Sequence, residues 1–239
     1  MRNRFLGPIV IAVAVVAFSA ALPGCAAQPP DAGNAAHTSS TPDLSGVWML
    51  RVIEGTFTKE APPMQPWAEE RTKAAVQGGE NSDPEAKCLP PGLPRMYLHQ
   101  YPIEILQLPG RVMMFFEYDH LVRQIWTDGR KHPEPEDLDL TWSGHSIGTW
   151  EGDTLVIDSV GFKEGTWLDN VGHPHTDALH VVERIRRVDP ETLQIDFTFD
   201  DPKTYTRAWT GQKIFQLKPG WEISEQVCTD TFLWKEPGK

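Results

Sequence analysis

The sequence predicts a mainly β domain, an antiparallel meander that closes into a barrel or folds into a sandwich, with one short helix. Short apolar runs recur from residue 103 onward, and tight-turn sequences such as Pro109-Gly110 and Asp128-Gly129 separate them. One stretch, beginning at Pro66, has the composition and end signals of a helix.

The first elements are a strand and this helix. Gly46-Val47-Trp48, a G-x-W sequence, leads into a strand predicted over Val47 to Val52. Pro66 suits a first helical turn, and Gly78-Gly79 ends the run WAEERTKAAVQ. A proline-rich loop over residues 80–95 follows and contains Cys88.

The rest of the domain is predicted as strands joined by turns. Glu151-Gly152-Asp153, Asp189-Pro190-Glu191-Thr192 and Lys218-Pro219-Gly220 are hairpin signals, and residues 131–139 form an acidic loop. The predicted strands are Ile103 to Leu108, Val112 to Glu117, Val122 to Trp126, Ser146 to Trp150, Thr154 to Val160, Leu179 to Val188, Leu193 to Phe199, Lys213 to Leu217 and Trp221 to Cys228.

The N-terminal residues predict export. Arg2 and Arg4 precede an uncharged apolar run, Ile9 to Leu22, which is too short for a stable membrane span. The run ends in Leu22-Pro23-Gly24-Cys25, which resembles the cleavage site of bacterial lipoproteins and implies acylation of Cys25. Because proline is unusual inside that site, ordinary secretion with cleavage nearby is the alternative. The protein is therefore expected on the periplasmic side of a bacterial membrane as a lipoprotein, or otherwise periplasmic or secreted.

These features divide the chain into a signal peptide (1–24), a flexible tether (25–42) and a single β-barrel domain (43–239). The tether is rich in small and polar residues and contains no large apolar side chain that could build a core.

The chain is acidic, with a formal net charge of −11, and removal of the signal peptide would remove two arginines and no acid. No segment is rich in lysine and arginine, which argues against nucleic acid and against direct docking on anionic lipid. Membrane attachment is expected through the lipid anchor only. An apolar small molecule is the expected partner, and a polyanion is not.

Cys88 and Cys228 remain once Cys25 is set aside, and in an oxidising compartment they are expected to form a disulfide. This bond would join the start of the domain to its last predicted strand, and a loop of that length implies a stabilisation of about 4 to 5 kcal/mol. A nucleophilic cysteine is the alternative.

Two resemblances bear on the fold. The G-x-W sequence resembles the first strand of lipocalin-like proteins, which implies a calycin-type barrel. The segments YPIEILQLPGRV, EYDHLVRQIWTDGR, GHSIGTWEGDTLVIDSVGF, HPHTDALHVVER and DDPKTYTRAWT are similar to a large family of exported bacterial proteins. This second resemblance covers almost all of residues 44–228 and implies no particular reaction.

The segment Trp167 to Glu183 contains three histidines and three acids, and we expect a functional site there. Asp169 is a candidate acid–base residue. His173 and His175 would share one face of an extended chain, and with His180 or Glu183 they could bind a single divalent transition metal. The alternative is a site without metal, in which His173 and His175 lie in a solvated loop.

Glu183 is the second catalytic candidate. In a strand it shares a face with Leu179, Val181 and Ile185, and a carboxylate isolated among aliphatic side chains could act as an acid or base near neutral pH. The alternative is a buried ion pair with an arginine such as Arg123 or Arg184.

Two further histidines are catalytic candidates. Asp119 could orient His120 as a base, although Tyr118 to His120 could equally be an exposed hairpin tip. His145 lies in Gly144 to Gly148, which matches G-x-S-x-G but is followed by a hairpin turn instead of the helix that a nucleophile elbow requires. His145 is kept because this hairpin leads into the 167–183 segment.

The chain has nine tryptophans, and four of them flank the polar segments: Trp142, Trp150, Trp167 and Trp209. They are predicted to line a pocket for a small molecule, with core packing as the alternative.

Two functions are predicted from these features. The first is an extracytoplasmic enzyme of the hydratase, isomerase, lyase or hydrolase type that acts on an apolar substrate in a pocket of the barrel, by acid–base or metal-assisted chemistry. The second is a lipocalin-like lipoprotein that binds an apolar ligand without catalysis.

Overall fold

A computed structural model describes residues 41–229 as nine β-strands in a closed barrel. Neighbouring strands follow the order of the chain, and β9 pairs with β1 to close the barrel. The prediction of a mainly β barrel is confirmed, and closure excludes the sandwich. The strands are β1 (Gly46–Leu50), β2 (Ile103–Leu108), β3 (Arg111–Phe116), β4 (Val122–Trp126), β5 (His145–Glu151), β6 (Thr154–Val160), β7 (His180–Asp189), β8 (Thr192–Asp200) and β9 (Trp209–Leu217).

The strands form because apolar and polar residues alternate along them. In β8, for example, Leu193, Ile195, Phe197 and Phe199 are buried, and the residues between them are half-buried. Successive side chains of a strand point to opposite faces, so this pattern directs one face of the strand into the barrel.

The only α-helix among the described residues is α1 (Pro66–Gly78), as predicted. It buries Ala68, Thr72 and Ala75, which lie on one face of the helix. Gly79 ends the helix with φ of 57°, a backbone conformation that glycine adopts readily.

Two expected features of the strands are wrong. β4 and β5 are parallel, with Ile125 opposite Ser146 and Trp126 opposite Ile147, because the connection 127–144 carries the chain back along the barrel. Trp221–Cys228 is not a strand, and within it only Gln226 forms a β-bridge. Since β8 and β1 occupy both edges of β9, the closed barrel leaves no edge for another strand.

The barrel interior is filled with side chains around Tyr97, which the turn Arg95–Leu98 inserts between the strands. Its ring lies 5.4 Å from the ring of Phe116 on β3 and 5.4 Å from that of Phe197 on β8. Tyr97 therefore packs against both sides of the barrel.

The predicted disulfide between Cys88 and Cys228 is present, with a Cα–Cα distance of 5.6 Å. Because Trp221–Cys228 is not a strand, the bond joins the loop after α1 to a segment that follows the barrel. The predicted signal peptide, Cys25 and nearly all of the tether lie outside the described residues. Within residues 41–229, no helix is both long and apolar enough to cross a membrane.

Candidate functional site

A cleft of about 370 Å³ lies between α1 and the connection from β6 to β7, residues 161–179. From α1, Trp67 and Arg71 line it, four residues apart and so on one face of the helix. From the connection, its walls include Thr166, Trp167 and His175. The cleft therefore contains part of the histidine-rich segment that the sequence singles out.

His175 is buried, at 6% exposure, and both of its ring nitrogens have partners. Nδ1 lies 3.2 Å from the backbone carbonyl of Thr176, which can only accept, so Nδ1 is the protonated nitrogen. Nε2 consequently accepts a hydrogen bond from the Thr166 hydroxyl at 2.8 Å. The pair joins a neutral imidazole to a hydroxyl in the wall of the cleft.

Burial is the main influence on His175 and lowers its pKa below the ordinary value. The hydrogen bond to Thr176 and the charges of Asp201 and Glu164 oppose this shift without reversing it. Near neutral pH, His175 is therefore uncharged, and its Nε2 can accept a proton.

Asp169 and His173 form a second buried pair in the same connection. The Nδ1 of His173 lies 2.5 Å from the Asp169 carboxylate. The same carboxylate accepts hydrogen bonds from the backbone amides of Val171, Gly172 and His173. Since the carboxylate only accepts, it places the proton of His173 on Nδ1, and within residues 41–229 no hydrogen bond to His173 Nε2 is found.

The connection is held in place by buried polar groups from the segment between β8 and β9. Asp201 accepts hydrogen bonds from the Thr176 amide at 2.7 Å and from the Thr204 hydroxyl at 2.7 Å. The Tyr205 hydroxyl donates to the carbonyl of Pro174 at 2.8 Å. These contacts flank His175 and fix its position in the cleft wall.

Gly172 allows the connection to approach α1. Its φ is 100°, and a Cβ atom at this position would lie 2.6 Å from the Cβ of Ala75. Both the positive φ and the short distance to Ala75 therefore require glycine at this position. Gly172 thereby allows the Asp169–His173 pair to lie close to α1.

The structure does not bring the three predicted metal ligands together. His173 is bound to Asp169 and His175 to Thr166, whereas His180 lies on the outer face of β7, 2.9 Å from Asp158. Within residues 41–229, no group of three or more His, Cys, Asp or Glu side chains is arranged to hold a metal ion.

Glu183 adopts the alternative arrangement, a buried ion pair with Arg123. Two hydrogen bonds join them, from Nη2 to Oε1 at 2.7 Å and from Nη1 to Oε2 at 2.8 Å. The Tyr97 hydroxyl also donates to Oε2, at 2.9 Å. Glu183 is thus not isolated among aliphatic side chains, and both of its oxygens are occupied.

His120 and His145 lie away from the cleft. His120 is exposed on the turn between β3 and β4 and accepts a hydrogen bond from the Gln226 amide. His145 begins β5 on the outer face of the barrel, where its Nδ1 lies 2.8 Å from the Nδ1 of His132. His132 also contacts Asp158, so His145 and His180 belong to one polar cluster on the outer wall.

Of the four predicted pocket tryptophans, Trp167 lines the cleft. Trp142 borders a separate groove beside β4, with Lys163 above its ring, and Trp150 packs against the core. Trp209 is buried against Phe199. Trp150 and Trp209 therefore pack in the core, which is the alternative that the sequence left open.

Sequence reasoning missed Thr166, Trp67 and Arg71. The spacing of Trp67 and Arg71 on one helix face was the available signal, but it does not reveal what that face meets. Neither a family model nor a curated protein matches the chain. The function is therefore inferred from the site itself, and the similarity to exported bacterial proteins stays a prediction.

Proposed function

We propose that the protein is an extracytoplasmic small-molecule enzyme that uses acid–base chemistry, of the hydratase, isomerase, lyase or hydrolase type. The observation that carries this proposal is the Thr166–His175 pair in the wall of the cleft. The apolar part of the substrate would lie against Trp67 and Trp167.

His175 is the proposed general base. Its Nε2 takes a proton from the Thr166 hydroxyl, or from a water or substrate group that replaces this hydroxyl on binding. Nδ1–H remains bonded to the Thr176 carbonyl, which orients the ring and stabilises the imidazolium that forms. The lowered pKa of His175 supports this role because it keeps Nε2 unprotonated at neutral pH.

The Asp169–His173 pair is proposed as a second acid–base group. Asp169 holds the ring in one tautomer, and Nε2 has no hydrogen-bond partner within residues 41–229, although neither side chain lines the cleft. His173 is tied to the cleft wall because its carbonyl accepts the Leu168 amide at 2.8 Å, next to Trp167.

A ligand-binding protein without catalysis is the second candidate. It is favoured by the state of Glu183, whose two oxygens are held by Arg123 and Tyr97. A carboxylate bound in this way stabilises the fold, so Glu183 no longer supports an enzyme.

The test is turnover by the purified protein of p-nitrophenyl butyrate, styrene oxide and a β,γ-unsaturated ketone, which report hydrolysis, hydration and isomerisation. We expect turnover of at least one probe and a loss of about 10²- to 10⁴-fold in kcat/KM for His175→Asn. His180→Asn, which changes a histidine outside the cleft, is the matched control and should behave as wild type. Saturable probe binding with no turnover would establish the binding protein instead, and unchanged kcat/KM in His175→Asn would remove His175 as the base.

A further inference from the structure

We propose that the cleft recognises a small molecule with a single carboxylate attached to an apolar ring or chain. This inference rests on the proposed function, because it names the substrate class of the same cleft. It depends on groups that the acid–base pairs do not use.

The first of these groups is Arg71. Its guanidinium is always charged, and it forms no ion pair, hydrogen bond or ring contact with any residue in 41–229. Arg71 lines the cleft and also a smaller neighbouring pocket beside Ala75 and Trp167. In a chain with a net charge of −11, this position gives the cleft a fixed positive charge.

The second group is the backbone opposite α1. The amides of Gly165 and Thr166 donate no hydrogen bond within residues 41–229, and both residues line the cleft. Gly165 has φ of 101°, and apart from its two chain neighbours no residue in 41–229 has an atom within 4 Å of the position of a Cβ there, so the backbone is open on that side. Free consecutive amides that line a concave surface are an arrangement that binds carboxylate or phosphate oxygens.

The third group selects the charge of the ligand. Glu164 lines the same cleft, and its Oε1 accepts a hydrogen bond from the Asp177 amide at 3.1 Å. This carboxylate would repel a dianion more strongly than a monoanion. A carboxylate therefore fits the cleft better than a phosphate monoester.

The apolar part of the ligand is assigned to the two tryptophans. Trp67 is 45% exposed, although its Nε1 is already bonded to the Lys203 carbonyl, so it offers its ring and not a donor. Trp167 lines both the cleft and the smaller neighbouring pocket. A cleft of about 370 Å³ is at the lower end of the range for small-molecule sites.

The experiment compares 2-naphthoate with 2-naphthamide, which has the same ring and no charge, and with 2-naphthyl phosphate. Binding to the purified protein is followed by amide and indole signals in nuclear magnetic resonance. We expect 2-naphthoate to bind about tenfold more tightly than either other probe, with shifts at the Gly165 and Thr166 amides. Arg71→Met should remove this preference, and Arg111→Met, which changes an exposed arginine on β3, should retain it.

Equal binding of acid and amide by wild type, an unchanged preference in Arg71→Met, or binding of none of the probes would overturn the proposal. Tighter binding of the phosphate would show that the cleft selects dianions and would also overturn it. The proposed function can fail separately. If the protein prefers the carboxylate but its catalysis does not depend on His175, this inference stands and the acid–base role of His175 is rejected.

Discussion

Glu183→Gln should strongly destabilise the fold, because the substitution leaves Arg123 charged and uncompensated inside the barrel. Both side chains of this pair are 1% exposed, and Arg123 also donates to Ser159 at 2.9 Å. Glutamine keeps the size and one acceptor oxygen but removes the negative charge. Breaking a buried ion pair in this way typically costs about 3 to 5 kcal/mol.

The assay is urea unfolding followed by tryptophan fluorescence, with Glu151→Gln as the matched control. Glu151 pairs with Arg184 at 2.9 Å, but these side chains are 57% and 48% exposed. The same substitution there should cost about 0 to 1 kcal/mol. A loss below about 1 kcal/mol in Glu183→Gln would refute the reasoning, since the pair would then be worth no more than a surface one.

Three further predictions concern the disulfide and pH. Changing Cys88 and Cys228 together to serine should reduce the free energy of unfolding by about 4 to 5 kcal/mol, measured in urea, because the bond spans 140 residues; a loss below about 1 kcal/mol would contradict this. Burial acts to raise the pKa of Glu85, but His99 and other partners outweigh it and lower this pKa. The resulting stabilisation is present above the unfolded pKa of 4.5 and is lost as the pH falls through the folded pKa. In Glu85→Gln, the free energy of unfolding should therefore fall less steeply at acid pH than in wild type, whereas a surface Glu→Gln variant should behave as wild type. His175 has a lowered pKa, so any activity that needs its neutral form should persist below pH 6.5 and fall only at lower pH; a midpoint above 6.5 would exclude it as the base.

Much of the fold could be predicted because its signals are local. Alternation places Leu193 and Phe197 on one face of β8 without any knowledge of the neighbouring strands. Proline and glycine set the ends of α1, since the backbone restrictions of these residues do not depend on tertiary contacts. The disulfide followed from cysteine number and compartment alone.

What could not be predicted depends on contacts between distant segments. The partner of Glu183 is sixty residues away on β4, so the sequence left both an isolated acid and an ion pair open. Tyr97 reaches the same network from a turn that precedes β2, and nothing in its local sequence indicates burial inside a barrel. The Thr166–His175 pair likewise requires the connection to fold back on itself, as the bridge between Trp167 and Pro174 records.

The two sets of buried charged and polar groups have different consequences for function. Inside the barrel, Arg123 donates to Glu183, Ser146 and Ser159, so each of its nitrogens is bonded and none is left for a ligand. Such a network stabilises one arrangement of the strands and offers no group for chemistry. In the connection between β6 and β7, by contrast, the hydrogen bonds fix the backbone and the orientations of the two histidine rings. His173 Nε2 is left without a partner within residues 41–229. His175 Nε2 lies against the Thr166 hydroxyl, which a ligand could displace. The chemistry is therefore expected outside the barrel, where a rigid wall and α1 enclose the cleft.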